Sequence, residues 1–279
     1  MHPDPIQKAL NLGVDVSVDK PTTIGLKECS ELVKLADSKQ LVFVTLSQRR
    51  YEDVYQTVAD IIKNGGLGEP RLINYMIAHE FFERGKDTWR RRKSKAGGGA
   101  LIESGYHGID TILWLLGKCK NPIYAKSISA ICYPDLESPY PHDAIETMTV
   151  ARIRLNNDGI FNFIASYENP KGSLDENIKI FGSKGAVRIM RDRPYKTRSD
   201  QSAAILSYQH ARGAYSVYDT REWVGQRWAP LEDFLEAVIA RKEGREWKVL
   251  SPASDSLQTI KVIEKAYESA KLNGQETQL

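Results

Sequence analysis

The chain has 279 residues, 41% of them hydrophobic, with 39 Lys plus Arg against 36 Asp plus Glu and a formal charge of +3. That length allows one large or two ordinary domains, and so even a charge balance argues against a polyanion binder: no nucleic acid or membrane partner is implied, and a small-molecule ligand is expected. Cys29, Cys119 and Cys132 are widely separated and form no Cys-x-x-Cys pair, which excludes a zinc knuckle or disulfide framework and fits a reducing, cytoplasmic setting.

The elements follow in chain order. Asp4 and Pro5 open a helix that Gly13 closes before the extended run Val14–Val18. Leu26–Ser38 patterns as a second helix, and "LVFVTL" at 41–46 is the near-continuous apolar run of a strand covered on both faces. Tyr51–Asn64 is helical with Val54, Val58, Ile61 and Ile62 on one face, and "RLINYMIAHE" after the "NGGLGEP" turn reads as a strand. Beyond residue 120 the style changes to strands joined by tight turns: "AKSISAICY", "ETMTVARIRL", "IFNFIASYE" and the hairpin "IKIFGSKGAVRIM". Phe161, Phe163, Ala165 and Tyr167 alternate with Ile160, Asn162, Ile164 and Ser166, which suits a sheet buried on both faces. Residues 191–202 read as a long loop, and two helices, "PLEDFLEAVIARK" and "SDSLQTIKVIEKAYESAK", close the chain. Trp223, Trp228 and Trp247 are expected to be core or interface anchors. The architecture implied is a short parallel α/β segment, then a larger α+β domain on an antiparallel sheet, joined near Ser47.

The stretch "GGGALIESGYHGID" at 97–110 carries the chemistry. At about 100° per residue, Glu103, His107 and Asp110 share one helix face within roughly 60°, opposite Leu101, Ile109, Ile112, Leu113 and Leu116. Gly105 and Gly108 each cost about 1 kcal/mol relative to alanine and call for close approach by a backbone or a ligand. Gly97–Gly99 place bare N–H groups at the helix start, where an anion is welcome. Asp19, Lys20 and Pro21 end a strand, the position where open α/β sheets bind ligands. His79 and His142 have no metal-ligand spacing, so both are taken as structural and no metal site is expected.

In order and spacing, "KALNLGVDVSVDKP", "SQRRY", "GGLGEP", "TWRRRKSKAGGGALIESGYHGIDTILWLLG" and "IFGSKGAVRI" resemble the motifs of the Gfo/Idh/MocA oxidoreductases (glucose-fructose oxidoreductase, inositol dehydrogenase), over essentially the whole chain. The resemblance implies an NAD- or NADP-dependent enzyme acting on sugars, inositols or related polyols. It makes Lys20 the group that binds the reacting hydroxyl and His107 the general base, with Glu103 standing where the family has Asp. It places Arg90, Tyr106 and Asp110 at the substrate and Asp19, Lys20 and Pro21 at the cofactor. The basic run Arg91, Arg92, Lys93 and Lys95, where the family continues with an acidic residue and proline, points to an anionic substrate group.

The family's Gly-x-Gly-x-x-Gly turn between a first strand and helix is not found in this sequence. Residues 1–46 are therefore expected to be the truncated remnant of a dinucleotide-binding Rossmann-type sheet, and 47–279 an α+β substrate and oligomerisation domain with a large, mostly antiparallel open sheet covered by helices on one face. A misassigned start, a fragment and true loss of the cofactor half all account for this. A homodimer or tetramer through the open sheet face is implied. The alternative function is a catalytically silent family member serving dimerisation or ligand binding.

Overall fold

A computed structural model describes residues 3–80, 88–136, 138–169, 174–193, 204–210, 215–220 and 228–279. Helix α1 (Pro3–Asn11) buries Ile6 and Leu10 and is followed by Gly13 at φ +76°, the left-handed conformation that glycine adopts without strain. Strand β1 (Val16–Val18), helix α2 (Leu26–Ser38) and strand β2 (Phe43–Thr45) follow, and the two strands pair in parallel with Val16 opposite Phe43. As its apolar run predicts, β2 is buried throughout. Its outer edge is closed: the Thr45 N–H donates to the Ser251 carbonyl (3.2 Å) and Val44 bridges Pro252. Among the described residues β1 pairs with β2 alone, and Leu12 and Val14 beside it are exposed.

A 3-10 turn (Gln48–Tyr51) leads into α3 (Asp53–Lys63), which buries Val54, Val58 and Ile62. The large sheet is built from β3 (Pro70–His79), β4 (Ala125–Pro134), β5 (Glu146–Leu155), β6 (Ile160–Ser166), β7 (Leu174–Gly182), β8 (Gly185–Arg193), β9 (Ala204–His210), β10 (Tyr215–Thr220) and β11 (Thr277–Gln278). Their order is β10-β9-β8-β7-β3-β6-β5-β4-β11, and every neighbouring pair is antiparallel except β3 with β6. Residues 191–193, expected in a loop, extend β8; β9 and β10 were not expected at all, and 194–203 lie outside the described residues, as does Trp223. Trp228 and Trp247 are exposed rather than core, the latter donating its indole N–H to Asp233 (2.8 Å).

A π-helical turn (Leu101–Gly105) runs straight into α4 (Tyr106–Leu116), which with α6 (Ser256–Lys271) lies on one face of the sheet; α5 (Ala229–Lys242) packs near the turn at residues 48–51. The two helix glycines have a packing cause. A Cβ on Gly108 would sit 2.4 Å from the Tyr75 ring, and one on Gly105 would sit 2.9 Å from Phe163, so sheet aromatics, not a ligand, make the close approach. Tyr75 and Phe163 are themselves stacked, with centroids 5.5 Å apart. The opposite sheet face exposes Leu72, Ile131, Val150 and Phe181.

Four buried hydroxyls fasten the small sheet to this layer. Thr22 and Thr45 are 2.6 Å apart, Thr22 and Ser256 2.9 Å, Ser256 and Thr45 3.0 Å, and the Tyr106 hydroxyl donates to Ser256 (2.9 Å). Because each buried hydroxyl must find a partner, this closed set fixes the segment that carries Lys20 against α4.

Candidate active site

Lys20 leaves the carboxyl end of β1 and reaches the start of the helical segment, where its ammonium donates to the Glu103 carbonyl (2.5 Å). The backbone N–H of Lys20 is held by the Asp19 carboxylate (2.8 Å). Burial lowers the Lys20 pKa against the opposing pull of Glu103 and Asp19, while the Arg49 and Arg90 cations lower it further. His107 is half-buried, one helical turn beyond Glu103. Burial drives its pKa well below the usual 6.5, and the neighbouring Lys20 and Arg49 charges reinforce this; Glu103 opposes it. Lys20, Glu103 and His107 therefore share one electrostatic environment.

Glu103 is the most heavily contacted of the three. Ser104 Oγ donates to its Oε2 (2.6 Å) and itself hydrogen-bonds His79 Nε2; His79 Nε2 is 3.5 Å from the same oxygen, and so is the Tyr167 hydroxyl. Arg90, its guanidinium over the Trp89 ring, brings Nη1 to 3.9 Å from Oε1. Burial opposes ionisation of Glu103, but the hydrogen bond to His79 and the Lys20 charge outweigh it and hold the carboxyl well below the usual carboxylate range. His79, taken from sequence as structural, thus joins the cluster together with Ser104 and Tyr167.

Two expected substrate residues are not at this site. Tyr106 is fully buried with its hydroxyl on Ser256, and burial raises its pKa. Asp110 is buried in an ion pair with Arg50, Nη2 to Oδ1 at 2.6 Å and Nε to Oδ2 at 3.0 Å, and Arg50 also reaches Asp255 and the Leu250 carbonyl. The shared polar face fails because the π turn alters the angular phase before α4, and because α4 is buried on every side save at His107.

The glycine run and the basic run also serve the fold. The Gly99 and Leu101 N–H groups donate to Glu146 Oε1 (2.9 and 3.0 Å), which also accepts from the Tyr267 hydroxyl (2.9 Å). A Cβ on Gly99 would lie 1.9 Å from the Glu146 carbonyl oxygen. Arg91 pairs with buried Asp135, Arg92 with Asp143 (3.2 Å), and Lys93 lies over the Tyr267 ring. The run is therefore largely engaged within the protein, which removes it as a signal for an anionic substrate. Beside the cluster, Pro21, Ile24, Trp89 and Lys95 line a cavity of about 290 Å³. Among the described residues no group of three or more metal-ligating side chains occurs, and no helix is long and apolar enough to cross a membrane.

Burial of a neutral His107 has a pH signature. An unfolded imidazole takes up a proton near about pH 6.5, whereas the folded one stays neutral to much lower pH, so the unfolded state binds more protons and stability falls on acidification. Below that pH the loss attributable to His107 is at most about 1.4 kcal/mol per pH unit. Urea unfolding at pH 7.5 and 5.0 should show a smaller acid loss for His107→Gln than for the parent chain; equal slopes would mean that the folded imidazole titrates normally.

Residues 59–276 match the family model described as "Oxidoreductase family, C-terminal alpha/beta domain" of the Gfo/Idh/MocA group. The chain is 24% identical over 198 residues to the uncharacterized oxidoreductase sll0816 of Synechocystis, covering 69% of this chain and 52% of the relative. It is 26% identical over 201 residues to the 1,5-anhydro-D-fructose reductase of Ensifer adhaerens, covering 71% and 57%. The chain thus spans about half the length of these curated relatives. The solved inositol dehydrogenase homolog of Azotobacter vinelandii, complexed with NAD+, superposes with a TM-score of 0.82 at 17% identity, covering 100% of this chain and 75% of that one. With the family model matching well over half of its length, the chain belongs to the Gfo/Idh/MocA oxidoreductase family.

Proposed function

We propose that this chain carries the substrate-facing machinery of an oxidoreductase that moves a hydride between NAD or NADP and a carbinol carbon of a sugar, inositol or related polyol. The observation that carries the reading is the meeting of an ammonium, a carboxylate and an unprotonated imidazole, Lys20, Glu103 and His107, beyond the carboxyl end of a parallel strand. The 1,5-anhydro-D-fructose reductase and the NAD+-bound inositol dehydrogenase homolog support the sugar and polyol class. Residues 1–46 are proposed as the end of a dinucleotide-binding half and 47–279 as the substrate and oligomerisation domain.

The residues present fit the reacting end of a nicotinamide cofactor. Asp19, Lys20 and Pro21 would border it, and it would supply the hydride acceptor or donor. Its phosphate end meets no glycine-rich cradle among the described residues, since the amides at Gly99 and Leu101 are taken by Glu146. In oxidation, the His107 imidazole takes the hydroxyl proton. Lys20 stabilises the developing alkoxide with an N–H not used on the Glu103 carbonyl, and the Glu103 carboxylate favours the imidazolium that forms. Reduction of a carbonyl runs the same proton transfer in reverse.

The exposed Leu72, Ile131, Val150 and Phe181 favour a second role, self-association through the open sheet face into a dimer or tetramer, which an inactive family member would also retain. Fluorescence titration with NADH and NADPH, followed by polyol oxidation assays, separates the two. Cofactor binding with turnover is expected; absence of any signal at millimolar cofactor ends the enzymatic reading for this polypeptide.

A further inference from the structure

We propose that His79, Ser104 and Tyr167 form a clamp on one oxygen of Glu103, holding that carboxylate in a single orientation so that its other oxygen, Oε1, faces the reacting hydroxyl. The inference rests on the oxidoreductase reading and adds residues that act through Glu103 without touching substrate.

The hydrogen-bond inventory gives the clamp its direction. An ionised carboxylate only accepts, so the one Ser104 hydroxyl proton is committed to Glu103 Oε2. Ser104 Oγ can then only accept from His79 Nε2, which fixes that nitrogen as a donor. His79 Nδ1 lies 3.2 Å from the Glu80 carbonyl oxygen, another acceptor. The ring is braced edge-on against Tyr167, with centroids 5.3 Å apart, and the Tyr167 hydroxyl meets Oε2 from the third side (3.5 Å). Ser104 is almost fully buried, so its hydroxyl serves this network and not solvent. Among the described residues, Oε1 makes no hydrogen bond and has Arg90 Nη1 at 3.9 Å.

Side-chain length gives the clamp its purpose. A glutamate has one more rotatable bond than an aspartate and reaches further, so without restraint its carboxylate would sample several positions at a cost in catalytic geometry. Three groups from three elements, the end of β3, the π turn and the residue after β6, remove that freedom. The titratable and charged groups around Glu103 are Lys20 beyond the end of β1, His79 on β3, Arg90 in the 3-10 turn Trp89–Arg91 and the unprotonated His107 on α4, with the Arg49 charge acting on Lys20 and His107. At Oε2 the hydrogen bonds come from the Ser104 and Tyr167 hydroxyls, while His79 Nε2 bonds Ser104 Oγ and lies 3.5 Å from the same carboxylate oxygen.

His79→Leu should lower kcat about 10-fold, the loss of one hydrogen bond supporting a charged group, with cofactor KM unchanged. His79→Gln, which keeps an N–H donor near Ser104, should recover most of that loss, and Glu103→Asp, too short to reach the clamp, should not behave as a conservative change. Equal losses for His79→Leu and His79→Gln, or an unaffected Glu103→Asp, would overturn the proposal. A second measurement does not depend on turnover: the ¹³C carboxyl resonance of Glu103, followed against pH in the intact chain, should titrate at higher pH in His79→Leu than in the parent. If the parent chain shows no oxidoreductase activity, the functional reading fails while this titration still decides the clamp, which an unchanged Glu103 midpoint would refute.

Discussion

Replacing His107 with asparagine is expected to lower kcat by about 10² to 10⁴ while leaving cofactor affinity nearly intact, the loss typical of a removed general base. The expectation follows from protonation state as much as position. Burial and the Lys20 and Arg49 charges keep the imidazole unprotonated, which is the form the proposed base needs at neutral pH. Asparagine preserves polarity and approximate volume but cannot take a proton. Stopped-flow measurement of hydride transfer with a polyol and NAD or NADP would separate the chemical step from binding. A variant with undiminished kcat would leave His107 without a role in proton transfer.

The second large effect concerns stability. Glu176→Ala should destabilise the fold by about 3–5 kcal/mol, because it strips the counter-charge from buried guanidinium groups. Glu176 accepts from Arg49 Nη1 at 2.5 Å, from the Tyr75 hydroxyl at 2.6 Å and from the Tyr55 hydroxyl at 3.3 Å, and lies 3.5 Å from Arg191. Arg191 keeps Glu52, but Arg49 has no other carboxylate at contact distance among the described residues. Replacing Arg49 and Glu176 together by Met and Leu should cost much less than Glu176→Ala, since no unpaired charge then remains. Urea midpoints for the single and double variants test this; a single-variant loss under about 1 kcal/mol would show that water solvates Arg49 in the folded state.

Much of the fold was legible because periodicity is local. The continuous apolar run at 41–46 gave a buried strand; the alternation at 160–167 gave a strand, but of its two faces only that of Phe161, Phe163, Ala165 and Tyr167 is fully buried in the single chain, with Ile160, Asn162 and Ile164 partly exposed. What escaped was tertiary. β3 lies parallel to β6 with Ala78 opposite Ser166, although β4 and β5 intervene in sequence, and that register is what brings His79 next to Tyr167. No local pattern encodes a pairing across two other strands, so His79 read as an ordinary strand-end residue. The signal that could have found it was already in the alternation, since Tyr75, Ile77 and His79 step along one face just as Phe163, Ala165 and Tyr167 do. Asp110 failed for the opposite reason: a regular 100° step was assumed through a segment whose first turn is π-helical.

Glu146 bears on ligand choice. The peptide dipoles that converge at Gly99 and Leu101 already have a tethered carboxyl guest, supplied by the protein's own sheet. A phosphorylated ligand arriving there would have to displace a group present at the very high local concentration that covalent attachment guarantees. The backbone donors of this glycine run are therefore spent inside the fold, on a carboxyl carried by β5.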